Sequence, residues 1–368
     1  MFPVLISAPS PTLCFARDSS DKLDIDIEKI NGSTYSPLKL HRVSFFLDVG
    51  LEGGSPMGFG FDGSIIISRT SSVSTPDEAI DCFNRVKATM MLGGLALDAT
   101  TQSMIGFGEL KETGYFRYHE TLGAEARISQ ALQERGAGGQ ISICLLEPRQ
   151  ITEKEVKEAY SKGNRIFSLL AKLNAAFLTL SYSSLRKAET RNSLIFGWVA
   201  CEQVVEHFWK DIFLSDASRY VSTDRRRRLL NTQSVAQKLD LLLQADVISE
   251  KVYSVLAIAR KARNNFAHTG GAVSFEDAFQ CNFGLLLLIQ EYAALKDVSS
   301  GIVDLTEILP SRDGDAAEPS GSISKAEEID WSRVKYFRTL YQIPGDETWE
   351  PSDEKVDGHQ IGPVATVE

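Results

Sequence analysis

As far as Pro148 the apolar positions fall in short runs separated by glycine-rich turns. Val43–Val49 (VSFFLDV), Ser64–Ser68 (SIIIS), Met104–Leu110 and Ile141–Leu146 (ISICLL) are brief and rich in β-branched and aromatic residues, so each predicts a strand. Between the second and third of these, Thr75–Leu97 repeats apolar residues at helical spacing behind a threonine N-cap followed by Pro76, Asp77 and Glu78, which is the chemistry of a helix start. From Thr152 the texture changes: the next 145 residues hold few glycines and no proline, and apolar residues recur at intervals of three and four. That pattern predicts helices at 153–182, 187–213, 222–244, 248–265 and 274–296. After Val298 the chain turns to Ser, Gly, Pro, Asp and Glu, as in SRDGDAAEPSGS, and buries too little apolar surface to offset its ordering entropy. One island, Ile329–Ile343 (IDWSRVKYFRTLYQI), has the aromatic content of a short docking helix.

The fold class is therefore α+β. A small α+β domain over 1–148, with the character of a sensor or regulator, precedes an all-helical bundle over 150–298 and an acidic, mostly disordered tail over 299–368 that carries the docking segment 329–343.

Charge sharpens this division. The net charge of -10 belongs to the tail, since residues 297–368 hold 16 acidic and 6 basic side chains, whereas residues 1–296 hold 33 of each. Within the neutral body, residues 215–270 carry ten Lys or Arg against five Asp or Glu, led by the run Arg225, Arg226, Arg227, Arg228. Such a local positive field suits a polyanion; a solvated basic turn between helices is the plainer reading of the run by itself. The five cysteines are single and odd in number, as expected of reduced intracellular thiols, and Cys201 and Cys281 lie in apolar helical runs where cysteine acts as a small buried hydrophobe. No basic start precedes the first apolar patch and no run reaches the roughly 18 apolar residues of a membrane span, so the expected location is the cytoplasm, away from membranes.

Two further motifs lack the context their chemistry needs. Gly58, Gly60 and Gly63 match GxGxxG, but the third glycine runs into a strand signal where a dinucleotide site needs a helix, so the glycines read as a loop or hairpin connection. Glu202, Glu206 and His207 lack the two histidines of a zinc helix; Phe196, Val199, Val204 and Phe208 are expected to face a core, with Glu and His at its margin. No metal or cofactor is called for.

The remaining constellation is Arg260, Lys261, Arg263, Asn264, Asn265 and His268 in ARKARNNFAHTGG, at the end of an amphipathic helix whose face Val252, Val255, Leu256 and Ala259 is continued by Arg263. Gly270 and Gly271 supply left-handed or flexible positions to end it. A guanidinium can hold two phosphate oxygens and stabilise a developing phosphorane, and an imidazole can move protons at a 2′-hydroxyl or a leaving oxygen. From the residues alone, helix capping by Arg263 and Asn264 and a dipole-favoured His268 are the plainer explanation of the pattern.

The order Arg263-Asn264-x-x-x-His268 at the end of a late helix, the upstream helix SLIFGWVACEQVVEHF and the ending FAHTG resemble the HEPN superfamily, in particular its Apea-like and abortive-infection members. The resemblance covers residues 150–298 and implies a metal-independent endoribonuclease of toxin or phage-defence type, working as a homodimer or higher homo-oligomer. On it, Arg263 holds the scissile phosphate, His268 transfers protons and Asn264 supports both; by their charge, Arg225, Arg226, Arg227, Arg228, Arg260 and Lys261 are expected to bind the RNA. The N-terminal domain then answers to a regulatory protein or phage trigger. The competing expectation is a non-catalytic dimerisation or RNA-binding module whose partner recognition resides in the N-terminal domain.

Overall fold

The computed structural model describes residues 2–7, 13–20, 41–51, 54–121, 149–170, 172–213, 224, 234–298 and 305–310. The chain divides into two compact units, Met1–Ile80 with Thr100–Lys154, and Asp81–Ala99 with Glu155–Asp315. The fold is α+β, an antiparallel sheet followed by helices.

The first unit is organised by Phe2–Ser7 (β1, FPVLIS), which is buried on both faces from Val4 onward and so takes a central place in its sheet. Six strands lie in the order β3-β4-β5-β1-β6-β7: Val43–Leu47 (β3), Met57–Gly60 (β4), Ile65–Ser68 (β5), β1, Ile105–Leu110 (β6) and Phe116–Thr121 (β7). Every neighbouring pair is antiparallel. Val4 and Ile6 share a buried face with Ile66 and Phe116. The outer strands β3 and β7 meet at an Arg42–Tyr115 bridge, where Val43 N donates to Gly114 O at 2.8 Å and Phe116 N to His41 O at 3.0 Å. The sheet thus curls far enough to pair its own edges at one end, which removes part of the exposed strand edge. Leu13–Ala16 (β2) and Arg149–Thr152 (β8) form a separate parallel pair. Phe15 of β2 stands edge-on to Phe59 with ring centres 5.0 Å apart, and its carbonyl accepts from Ser44 Oγ at 2.6 Å.

Three of the four expected strands appear as β3, β5 and β6; Ile141–Leu146 lies outside the described residues. Gly58 and Gly60 lie in β4 and Gly63, at φ +86°, in the turn that leads to β5, so the glycine pattern is a hairpin. Phe2–Ser7, Met57–Gly60, Phe116–Thr121 and the β2–β8 pair were not visible as strands: β1 is a short terminal apolar patch, two glycines dilute β4, and β7 (FRYHET) is mostly polar.

Pro76–Leu92 (α1) starts as its residues dictate, with Thr75 Oγ1 accepting from Glu78 N at 3.3 Å and Glu78 Oε2 accepting from the backbone N–H of Ser74 and Thr75. Those backbone N–H groups, first that of Ser74, lower the Glu78 carboxyl to about 2. The helix ends at Gly93 and Gly94, the latter at φ +93°.

In the second unit, Glu153–Leu169 (α2), Ala175–Arg186 (α3), Thr190–Phe208 (α4), Val235–Gln244 (α5), Glu250–Thr269 (α6) and Phe275–Leu295 (α7) surround one apolar core that includes Trp198, Val204, Phe208, Leu256, Leu285 and Ile289. The expected single helix over 153–182 is two, because Asn174 caps α3 by accepting from Ala176 N at 2.8 Å. The helix expected to stop at 265 runs to Thr269 and stops at Gly270, whose φ of 67° is the left-handed C-cap. α4 passes into one π-helical turn, Trp209–Phe213. The residues of the expected helix before Val235 are largely outside the described set.

A buried polar knot ties α3, α4 and α7. Ser181 Oγ lies 2.7 Å from Asn282 Oδ1, Asn282 Nδ2 donates to Ser193 Oγ and to Ala278 O at 2.9 Å each, and Ser193 Oγ donates to Ser181 O at 2.9 Å. Each polar group has its partner, so the knot costs little desolvation and fixes one register of the three helices. Cys201 and Cys281 pack beside it with exposures of 1% and 0%, as small hydrophobes do. Among the described residues no helix is long and apolar enough to cross a membrane.

Candidate functional site

The site begins with α6. Ser249 caps it, accepting from Val252 N at 3.2 Å, and Val252, Leu256 and Ala259 are fully buried along one stripe. Arg263 continues that stripe one turn beyond the buried part and is partly exposed; Asn264, Lys261 and His268 are exposed, and Arg260 is partly exposed. The Arg263 guanidinium donates from Nη1 to Asn264 Oδ1 at 3.1 Å, so the two neighbours act as one polar unit. His268 makes no hydrogen bond or ion pair among the described residues, which leaves both ring nitrogens open to a ligand.

Because α6 is unbroken from Arg263 to His268, the five-residue spacing turns the two side chains about 140° apart around the helix axis. No hydrogen bond joins them. Within one chain, then, the arginine and the histidine flank the helix end rather than converge across it. Asn264, one turn before His268, is the motif residue on the histidine's side.

The helix end is pinned from a distance. Thr269 Oγ1 donates to Asn265 O at 2.7 Å and accepts from Gly271 N at 3.2 Å, closing the terminus. Ser274 and Asp277 start α7 with a capping box, and Thr190 Oγ1 of α4 donates to Val273 O at 2.8 Å. Beside that contact the Arg191 guanidinium lies 5.9 Å from the centre of the Phe266 ring. Arg191 is exposed and belongs to the first turn of α4, where a cation opposes the helix dipole and so gains nothing for the helix itself. Arg260, Lys261 and Arg263 stand in the last three turns of α6, and the Arg260 charge reaches back to Tyr253. No local signal marks Arg191, because it is brought to Phe266 by tertiary contact across many residues. Arg225–Arg228 lie outside the described residues.

A second polar cluster, unforeseen as a unit, uses His207 as a brace. His207 Nε2 lies 2.9 Å from Tyr292 Oη, Tyr292 Oη donates to Asp211 Oδ2 at 3.1 Å, and Lys296 Nζ pairs with the same oxygen at 2.5 Å. Burial lowers the His207 imidazole below its ordinary value against the pull of Asp211. Burial, then the Asp211 charge, raises the Tyr292 phenol. Glu206 holds Lys210 at 2.6 Å and also the buried Lys238, and Glu202 accepts from Trp198 Nε1 at 2.6 Å. The EQVVEH stretch is thus bonded to its neighbours as a helix margin, with Val204 and Phe208 at 0% exposure inside. Among the described residues no group of three or more His, Cys, Asp or Glu side chains could hold a metal ion.

No family model, no curated protein and no solved structure matches this chain.

Proposed function

We propose that the protein is a metal-independent endoribonuclease of HEPN type, a toxin-like or phage-defence effector acting in the cytoplasm as a homodimer, with Arg263, Asn264 and His268 as its reacting groups. The observation that carries the reading is a His268 with no partner among the described residues, on the same exposed helix end as the Arg263–Asn264 unit. Arg191, Arg260 and Lys261 draw the RNA backbone to the helix end, and the Arg263 fork holds the scissile phosphate. The 2′-hydroxyl attacks that phosphorus, His268 handles the proton, and the 5′-oxygen leaves; the products are a 2′,3′-cyclic phosphate and a 5′-hydroxyl. Regulation belongs to the N-terminal domain, through a protein or phage trigger.

The 140° separation within one helix, about five steps of 100°, supports a composite site in which one copy's arginine meets the other's histidine. Ile258 is 51% exposed on α6, and Val255 and Ala262 extend it at helical spacing into an apolar stripe that a second copy can cover. Mixing tests this. Arg263→Ala and His268→Ala chains are each inactive alone, whereas an equal mixture regains about a quarter of wild-type cleavage, because half the dimers are mixed and each holds one intact site. A mixture that stays inactive while both variants still bind RNA and dimerise favours the second reading, a non-catalytic RNA-binding or dimerisation module. The Arg263–Asn264 hydrogen bond, which occupies the guanidinium in part, is the observation on that side.

A further inference from the structure

Where α5 and α7 end and α6 begins, the second unit encloses a groove of about 870 Å³, within the usual range for binding pockets. Leu243, Val247 and Leu295 give it an apolar surface, and Leu295 is 50% exposed there. Its charged lining is all acidic, with Asp246 from the α5–α6 connection, Glu250 from the first turn of α6 and Glu291 from the end of α7. Glu291 accepts from Ser249 N at 3.0 Å, but none of the three carboxylates forms an ion pair among the described residues.

The surroundings leave that negative charge standing. Neither α5 nor α7 has a basic side chain in its last turn, so the negative ends of both helices add to the carboxylates. Lys296, just past α7, is paired with Asp211 at 2.5 Å. The positive end of α6 is already met by the Ser249 cap and by Glu250. Tyr253 also lines the groove, and its hydroxyl donates to Asp240 at 2.7 Å; that bond and the Asp240 charge raise the phenol against the opposing charge of Arg260. A single amine on an apolar body would balance one of the lining carboxylates. Three of them, presented by three elements around one apolar surface, suit several cations flanking one apolar stripe, which is the pattern of a basic amphipathic helix.

We propose that this groove receives a basic amphipathic helix of a partner protein, its apolar stripe seated on Leu243, Val247 and Leu295 and its Lys or Arg side chains set against Asp246, Glu250 and Glu291. The inference is independent of the nuclease reading, because the groove lies at the opposite end of α6 from His268.

A fluorescent peptide of leucine and lysine, about 14 residues or four helical turns long with its leucines on one face, and its leucine–glutamate counterpart are titrated by anisotropy into three full-length proteins: wild type, Leu295→Gln, and Asp246→Asn with Glu250→Gln. Glutamine is a good helix former at the half-exposed Leu295, and asparagine tolerates the left-handed φ of 52° at Asp246, so the variants keep their local backbone. The wild type should bind one leucine–lysine peptide per chain and leave the glutamate peptide unbound. Leu295→Gln should weaken that binding about tenfold through lost apolar contact, and the doubly neutralised variant about tenfold at low salt. Attraction to acidic residues elsewhere in the chain would not respond to Leu295→Gln, which leaves the net charge unchanged. Equal binding by all three proteins overturns the proposal, as does a wild type that binds neither peptide. Self-association of the wild type that Leu295→Gln removes makes a second copy the occupant and overturns the partner protein.

Discussion

Two glycines, Gly163 within α2 and Gly93 just past the end of α1, offer a direct test of how closely the second unit is packed. A Cβ on Gly163 of α2 would lie 1.7 Å from Thr89 O of α1, and one on Gly93 would lie 1.8 Å from Ala159 O. The obstacle is backbone in both cases, so no rotamer change can make room and the helices must move apart by more than an ångström. That opens the contacts among Ala88, Met91, Leu92, Ile166 and Leu170. Gly163→Ala gains about 1 kcal/mol from helix propensity, whereas overpacking of this kind costs about 3 kcal/mol, leaving a net loss of about 2 kcal/mol. For a unit of this size that lowers Tm by roughly 4–8 °C. Gly284→Ala in α7 is the control: its Cβ would meet Leu256 Cδ2 at 2.8 Å and Val255 Cγ1 at 3.0 Å, both side-chain ends that can shift. Its propensity gain and packing cost are each about 1 kcal/mol and nearly cancel. Thermal unfolding followed by circular dichroism compares the two. An unchanged or raised Tm for Gly163→Ala refutes the close crossing of α1 and α2.

Three further outcomes follow from the polar clusters. His207 is held below its ordinary value of 6.5, so the folded state takes up its proton less readily than the unfolded chain. Stability is complete above that value and falls as the pH drops below it. For Asp211 and Glu206, burial alone would raise the carboxyls, but hydrogen bonds and charge from their lysine partners prevail and lower them, which adds further loss at more acid pH. Tm measured against pH should show this acid slope, and His207→Gln should flatten its part just below neutrality; an identical slope in the variant contradicts the assignment. Asn282→Asp turns two donors into acceptors facing Ala278 O and Ser193 Oγ and should destabilise by about 3–5 kcal/mol near neutral pH, with the deficit shrinking as acid protonates the carboxyl; a deficit independent of pH argues against a sealed knot. Arg191→Ala should weaken RNA binding at low salt and reduce the slope of log K against log salt by about 1, measured by anisotropy, and an unchanged slope removes Arg191 from the RNA path.

What could be read in the sequence was whatever is local. VSFFL, SIIIS and the residues after Met104 show their strands because β-branched and aromatic residues sit between turn formers, and Gly270 marks the end of α6 as soon as its left-handed role is recognised. Asn174 would have disclosed the break between α2 and α3, since an asparagine ahead of a fresh apolar run is a cap signal. β1 was hidden for the opposite reason: a strand buried on both faces has no alternation to detect. At the site, the clustering of Arg260, Lys261, Arg263, Asn264 and His268 was legible because they share one helix end. The turn that sets Arg263 and His268 on different sides depended on knowing that the helix continues past 265, and Arg191, Thr190 and the Tyr292 brace of His207 reach their places only through packing.

The central claim is that this helix end cuts RNA, and it is tested by incubating the purified full-length protein with total and transfer RNA in EDTA and analysing the fragment ends, beside a folded Arg263→Ala, His268→Ala variant. The account predicts fragments ending in 2′,3′-cyclic phosphate from the wild type and none from the variant. Identical fragment patterns from the two proteins, or wild-type cleavage that leaves 3′-hydroxyl ends, would contradict it.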